Sequence, residues 1–342
     1  MAKTSGKKRS SSKNNPTKII SLIIGLIIIG AVVIFGGAEL GGLNTSIPLN
    51  TSTPSSSLID EAGALSMYVI DIGQGDAILL AKDGKYALID AGESMSPGER
   101  ESRTAIFTCL DSLGVKNLEF LLITHQDYDH IGSAKDVLST YNVGIVYDNG
   151  VEHTSATYEK LMQYILDENI SYKVVRDGDL ISSPWSEVKI DVLSPPQNLI
   201  MSGSSPDINE NSIVLEITYD TVSYILAGDA EDKAESYILS TGTSIDADIL
   251  KAGHHGSSSS STDAFLKAVS PGVIVLSVGA GNSYGHPHIE ALTRYAEYSE
   301  FIYRTDLDGD VVVTTDGSLY SVYTENEHFP NTILVSGDGV HV

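Results

Sequence analysis

A single cysteine, Cys109, is the whole thiol content of this 342-residue chain, which excludes an intramolecular disulfide and a cysteine-rich zinc site. It falls in a helical pattern and reads as plain core. Positive charge is the next shortage. Lys and Arg number 21 against 45 Asp and Glu, a formal net charge of −24. Six of those cations (Lys3, Lys7, Lys8, Arg9, Lys13 and Lys18) precede Ile19 with no acid among them, so 15 basic residues face 45 acidic ones beyond that point, a formal −30. Such a surface repels polyanions, and duplex DNA cannot be held on it by ordinary phosphate neutralisation. No strong duplex binding is expected; a nucleic-acid substrate would have to be held locally, by metal and a few cationic groups. The 42% hydrophobic content and 31 glycines suit a globular α/β protein.

Ile19 to Phe35 is almost unbroken aliphatic sequence, and Gly36 to Ala38 extend it to about the ~20 residues a membrane-spanning helix needs. The basic segment before it places the N-terminus in the cytoplasm and the rest outside. A cleaved signal peptide, with Gly36 to Ala38 at its cleavage site, is the alternative; either reading exports the remainder. From Gly41 to Ser57 the residues are mainly Ser, Thr, Pro, Asn and Gly, a composition that buries too little apolar surface to fold. N-x-S sequons begin at Asn44, Asn50 and Asn169. The expected organisation is a basic cytoplasmic tail over 1–18, a signal-anchor transmembrane helix over 19–38, a linker over 39–64, a hydrolase domain over 65–325 and a C-terminal tail over 326–342.

Beyond Ala64 β-branched runs alternate with helical patterns, the mark of an α/β domain. Strands are expected at Met67 to Asp71, Ala77 to Ala81, Tyr86 to Asp90, Leu118 to Ile123, Val188 to Leu193, Ser212 to Thr218, Val222 to Leu226, Ile249 to Ala252 and Val273 to Val278. Helices are expected near Glu101 to Leu113, Tyr158 to Asp167, Glu231 to Leu239, Ala264 to Val269 and Ile289 to Tyr298, and a closing hairpin turns at Asp316-Gly317.

Four potential metal ligands crowd into Thr124-His125-Gln126-Asp127-Tyr128-Asp129-His130, just after an apolar strand. A loop at a strand end is where an open sheet offers side chains to a ligand, and positions 125 and 127 can point one way while 129 and 130 reach another. That arrangement suits two adjacent cations, which activate a water near neutral pH and stabilise attacking and leaving oxygens together. A polar loop whose acids cap the next helix is the plainer alternative. Ala227-Gly228-Asp229 and Ala252-Gly253-His254-His255 repeat the theme: a strand, a glycine that permits a tight turn, then a ligand.

These motifs, with Val69 to Asp76, Leu88 to Gly92, Asn211-Ser212, Gly253 to Ser257 and Tyr284-Gly285-His286-Pro287-His288, resemble the metallo-β-lactamase superfamily, and in particular the hydrolase domain of ComEC-type competence proteins, which act in DNA uptake. The resemblance covers Met67 to Tyr323. It implies a four-layer αββα sandwich and two divalent metal ions, with His125 and Asp127 on one, Asp129, His130 and His254 on the other, and Asp229 bridging. Asp90 would order the ligand loop from behind. The chain departs from the wider superfamily in having Asp127 where a second histidine is typical. His153, in a loop-like stretch, is the only histidine between His130 and His254, so the usual third-motif histidine is missing. An oxygen-rich first site moves preference from zinc towards manganese, with magnesium also open.

His286 is the candidate proton donor to a leaving oxygen, beside Asp129 as catalytic residue; His255 and His288 are candidates for substrate or supporting contacts. Asn211 and Ser212 fall at a strand start, where they could satisfy backbone groups, and Gln74 and Asp76 would organise a turn. The acidic run Asp306, Asp308, Asp310 lacks the glutamate of a calcium loop, Gly317 standing at its twelfth position, and reads as a polar hairpin turn. The expected function is metal-dependent hydrolysis outside the cytoplasmic membrane through an activated hydroxide, in the form of a phosphodiesterase or nuclease acting on single-stranded DNA or another phosphodiester. Hydrolysis of a lactone, lactam or thioester at the same site, and an anchored binding module without turnover, are the alternatives. Oligomeric state is not legible in the sequence.

Overall fold

Two β-sheets, each apolar on both faces, force a layered architecture, because every such face must be covered. The computed structural model describes residues 63–92, 101–326 and 332–335. The basic tail, the expected membrane helix and most of the linker lie outside the described residues; among the described residues no helix is long and apolar enough to cross a membrane.

The first sheet contains β1 (Leu65–Val69), β2 (Ile78–Lys82), β3 (Lys85–Ile89), β4 (Phe120–Leu122), β5 (Val146–Asp148) and β6 (Tyr172–Val174). The second contains β7 (Val188–Ser194), β8 (Val214–Tyr219), β9 (Val222–Leu226), β10 (Ile249–Lys251), β11 (Val273–Leu276) and β12 (Phe301–Arg304). The chain then returns to the first sheet through β13 (Val311–Thr315), β14 (Leu319–Thr324) and β15 (Thr332–Val335). The spatial orders are β15-β14-β13-β1-β2-β3-β4-β5-β6 and β12-β11-β10-β9-β8-β7. Both sheets follow one plan. β1, β2 and β3 run antiparallel and β3 to β6 parallel; β7, β8 and β9 run antiparallel and β9 to β12 parallel. β15 falls in the segment expected as a tail and adds an antiparallel edge to β14.

Alternation along the strands sorts the core into three apolar layers. Leu65, Met67 and Val69 of β1, Val273 and Val275 of β11, and Val311 and Val313 of β13 fill the space between the sheets. The other face of the first sheet, through Tyr68, Leu79 and Leu121, packs on α1 (Glu101–Ser112), α3 (Ala134–Thr140) and α4 (Ala156–Asp167). A one-turn helix, α2 (Tyr128–Ile131), precedes α3. Ile225, Leu250 and Ile274 of the second sheet pack on α5 (Asp232–Thr241), α6 (Asp263–Val269) and α7 (Ile289–Tyr298). The result is the αββα sandwich expected from the sequence. The Asp306 to Asp310 run differs from expectation. Thr305–Asp308 is a helical turn, α8, because the Arg304 guanidinium grips both Asp306 oxygens at 2.9 and 2.6 Å, while Asp310 accepts the Asp71 amide at 2.7 Å.

The parallel strands share one functional edge. β3, β4, β9, β10 and β11 end at Ile89, Leu122, Leu226, Lys251 and Leu276, and the residues just beyond each carry the polar groups described below. Phe120 sits in the middle layer, 1% exposed, with its ring edge-on to Tyr147 at 5.6 Å. Phe120→Ala is expected to cost about 3–5 kcal/mol of stability, read from the urea midpoint at unchanged slope; a loss below ~1 kcal/mol would contradict this packing.

Candidate metal centre

Each polar group of the site stands on a turn that the local sequence makes possible. β4 runs through Ile123 into Thr124 and His125, and α2 lifts Asp129 and His130 beside them. Gly228, at φ +53°, turns the chain out of β9 and leaves Asp229 buried. Beyond β10, His254 and His255 both adopt left-handed backbone, at φ 45° and 52°, which costs each about 1–2 kcal/mol. The turn is held from several sides: the His254 amide donates to Gly228 O at 3.0 Å, the Ser257 amide to His254 O at 2.8 Å, and the Ser260 hydroxyl to Gly253 O at 2.7 Å.

Asp229 is the hub. Its Oδ1 lies 3.3 Å from His130 Nε2, and its Oδ2 lies 3.4 Å from His255 Nε2, 3.7 Å from His254 Nε2 and 3.8 Å from His125 Nε2. Asp129 Oδ2 is 3.3 Å from His255 Nε2, and His130 Nε2 is 3.3 Å from His255 Nε2. Asp127, half-exposed, reaches His125 Nε2 at 3.7 Å. The tight metal-compatible groups among the described residues are His125, His130 and Asp229; Asp129, His130 and His255; and Asp76, Asp90 and His130.

The ring orientations follow from the acceptors behind them. His130 Nδ1 donates to Asp90 at 2.7 Å, His254 Nδ1 to Glu231 at 2.7 Å, and His255 Nδ1 to the Ser277 carbonyl at 2.9 Å. The Thr124 hydroxyl donates to Asp90 at 2.6 Å, so His125 Nδ1, 3.1 Å away, is the donor in that pair. Four imidazoles thus have Nδ1–H anchored from behind and Nε2 aimed at Asp229, the arrangement that outer carboxylates and carbonyls impose on ligating histidines. His125 Nε2 and Asp229 Oδ1 are buried with no hydrogen-bond partner. Such atoms are costly unless something binds them. Bonds of about 2.0–2.1 Å to a tetrahedral ion require ligand atoms about 3.4 Å apart, and the spacings around Asp229, Asp129, His130 and His255 are 3.3–3.4 Å. The donor set therefore fits a divalent cation.

Burial works against the charges here, and the groups sustain one another. It disfavours protonated His130, yet Asp229 and Asp90 hold that imidazole well above its ordinary pKa. The same opposition, won by Asp229, Asp129 and Asp76, raises His255. In return His255 and His130 hold Asp229 well below the carboxylate range and bring Asp129 to about 2 against the effect of burial. His286 goes the other way: burial, then His254, His255 and His288, lower it to about 4.

The remaining residues singled out in the sequence divide cleanly. Asp90 stands behind His130 and Thr124. Ser212 accepts the Asp229 amide at 3.2 Å. The Asn211 side chain ties Ile200 and Asp207 at 2.5–2.9 Å and serves a loop, not the cluster. His288 Nδ1 accepts the Ser258 amide at 2.9 Å, and His286 packs edge-on to His254 at 5.2 Å. His153 bonds Ser155 at 2.9 Å, before α4. One placement differs from the expectation: His255, not His254, stands against Asp129 and His130, while His254 lies beside Glu231 and faces Asp229 at 3.7 Å.

Several supporting residues were not singled out. Lys251, fully buried, donates to Asp76 Oδ2 at 2.8 Å, and the Asp76 amide donates to Asp129 O at 3.1 Å. Gly75, at φ +127°, is what lets that strap approach, since a Cβ would meet Asp129 O at 2.2 Å. A lysine in the apolar run Ile249-Leu250-Lys251 was the available signal; Glu231, two residues past Asp229, offered none that distinguishes it from a helix-capping acid.

A sandwich of this topology with its histidines and carboxylates at one edge is the architecture of a metal-dependent hydrolase, and the chain belongs to the metallo-beta-lactamase superfamily, whose profile matches residues 70–279. It is 31% identical over 259 residues to ComE operon protein 3 of Bacillus subtilis, covering 71% of this chain and 32% of that one. It is 30% identical over 245 residues to recombination protein 2 of Haemophilus influenzae, covering 71% and 28%. These are ComEC-type competence proteins, and the chain spans about a third of their length. The solved metallo-beta-lactamase fold protein YhfI of Bacillus subtilis is 11% identical at a TM-score of 0.48, covering 73% of this chain and all of that one.

Two outcomes follow. With the His130 and His255 imidazoles raised above their ordinary pKa in the metal-free protein by the surrounding carboxylates, a bound cation must compete with protons at Nε2. Zinc titration calorimetry in buffers of different ionisation enthalpy should show net proton release at pH 7, and affinity should fall as the pH is lowered; pH-independent affinity would refute the protonated cluster. Lys251→Met leaves Asp76 buried without its cation and is expected to destabilise the fold by about 3–5 kcal/mol, measured by urea unfolding. A near-neutral substitution would show that the pair carries no such weight.

Proposed function

We propose that this chain is a metal-dependent phosphodiesterase or nuclease that acts outside the cytoplasmic membrane, anchored by its apolar segment at residues 19–38. The observation that carries the reading is the convergence on Asp229 of four imidazoles whose Nδ1–H groups are all engaged from behind. Similarity to competence proteins supports phosphodiester over lactone, lactam or thioester substrates.

Two divalent ions would be held about Asp229. Asp129, His130 and His255 would serve one. His125 and Asp127 would serve the other, with His254 the nearest further imidazole; that supply of nitrogen removes much of the reason to favour manganese over zinc. When bound, the ions would lower the pKa of a water and neutralise charge developing on phosphoryl oxygens. The protein's own part is positional. Asp90 and Thr124 fix the rings of His130 and His125, Glu231 fixes His254, and the Ser277 carbonyl fixes His255. His286, neutral at pH 7 with its pKa near 4, would offer a leaving oxygen an N–H hydrogen bond; as imidazolium it is too scarce there to be the main proton source.

The test is metal analysis of the purified full chain beside hydrolysis of bis-p-nitrophenyl phosphate and single-stranded DNA with zinc and with manganese. Asp129→Ala should lose more than the ~10–100-fold typical of losing an outer partner. Metal uptake without turnover on either ester would instead make the chain a binding module.

A further inference from the structure

Tyr284 is a large aromatic left 64% exposed on a loop that is not free to hide it. Asn282 pins that loop four times: its Nδ2 donates to Gly279 O at 2.9 Å and His286 O at 2.6 Å, and its Oδ1 accepts the Tyr284 and His286 amides at 3.1 Å each. The Gly279 amide is held by Gln74 at 3.2 Å, in the strap behind Asp129. Tyr284 stacks on His286 at 5.7 Å with ring planes 22° apart, and His286 packs edge-on to His254 at 5.2 Å. A continuous run of rings therefore leads from the Asp229 cluster to an exposed tyrosine.

Charge gives that run a purpose. The chain beyond its N-terminal segment is strongly acidic, so phosphate neutralisation cannot supply the affinity on which most nucleic-acid-binding proteins rely. The other general source is stacking of unpaired bases on aromatic rings, which works in any sequence because every base has a π face. From this, and resting on the phosphodiesterase reading above, we propose that Tyr284, backed by His286, is the stacking platform for the base that flanks the scissile phosphodiester of a single-stranded nucleic acid. A base locked in a duplex cannot leave its neighbours at low cost to occupy it, so the subsite selects single strands.

The experiment compares the full chain and its Tyr284→Ala and Tyr284→Phe variants on a short oligodeoxythymidylate and on the same sugar-phosphate chain made abasic, reading kcat and KM for each. The wild type should prefer the base-bearing chain by roughly tenfold in kcat/KM, the order of one stacked base. Tyr284→Ala should abolish that preference through KM, and Tyr284→Phe should restore it, since the ring and not the hydroxyl does the stacking. Cleavage of the base-bearing chain with the preference intact in Tyr284→Ala, or equal cleavage of both chains by the wild type, would overturn the platform alone. Failure of the wild type to cleave either chain would overturn the phosphodiesterase reading and the platform with it.

Discussion

The site depends on keeping one carboxylate, Asp229, charged and buried. An isolated carboxylate cannot stay ionised out of water without compensation, and the chain provides it by aiming four imidazole nitrogens at that group from two separate segments, 125–130 and 254–255. The compensation is conditional on protons or cations being present, because neutral imidazoles offer only lone pairs at Nε2. A cluster built this way is a receptor for positive charge, and the buried His125 Nε2, which has no hydrogen-bond partner, is where that demand is visible.

Everything behind the cluster fixes orientation. Asp90 accepts from Thr124 twice and from His130 once, so a single fully buried side chain sets two ligand rings. The glycines that matter are those where another atom already occupies the place of a side chain. Gly75 sits against the Asp129 carbonyl, and Gly279 against the Gln74 amide, which a Cβ there would meet at 2.6 Å. Strap, ligand loop and second-sheet turn are thereby stacked as one unit across the edge of the sandwich, with Lys251 and Asp76 joining the two sheets beneath it.

Much of this was legible because strand ends are strongly marked. The apolar runs, closed by Gly228 or Gly253 and then a ligand at β9 and β10 and running through Thr124 straight into His125 at β4, located these three strands and their turns nearly to the residue, and the motifs identified the sandwich. β5, β6 and β12 were not foreseen; two are only three residues long and β12 is half-buried on every residue, so neither length nor alternation distinguishes them from loop. The assignment between His254 and His255 failed to emerge for a different reason. Adjacent residues are separable by a period-two rule only on extended backbone, and both of these lie in the left-handed region. Lys251 and Asp76 were unreadable as partners because 175 residues separate them; only the closing of one sheet on the other brings them together.

The acidic surface and the cation-hungry centre belong to one electrostatic design. Field lines from a strongly negative body draw divalent ions towards it and keep phosphate chains away, so loading with metal is favoured while encounter with a polyanion is slowed. A phosphodiester would approach such a protein productively only after the centre had been filled, since the bound ions would then supply positive charge at that edge. Salt should accordingly affect the two events in opposite senses, screening the attraction of the metal and the repulsion of the substrate alike. That order, metal before any anionic substrate, follows from the sign of the charge and the depth of Asp229.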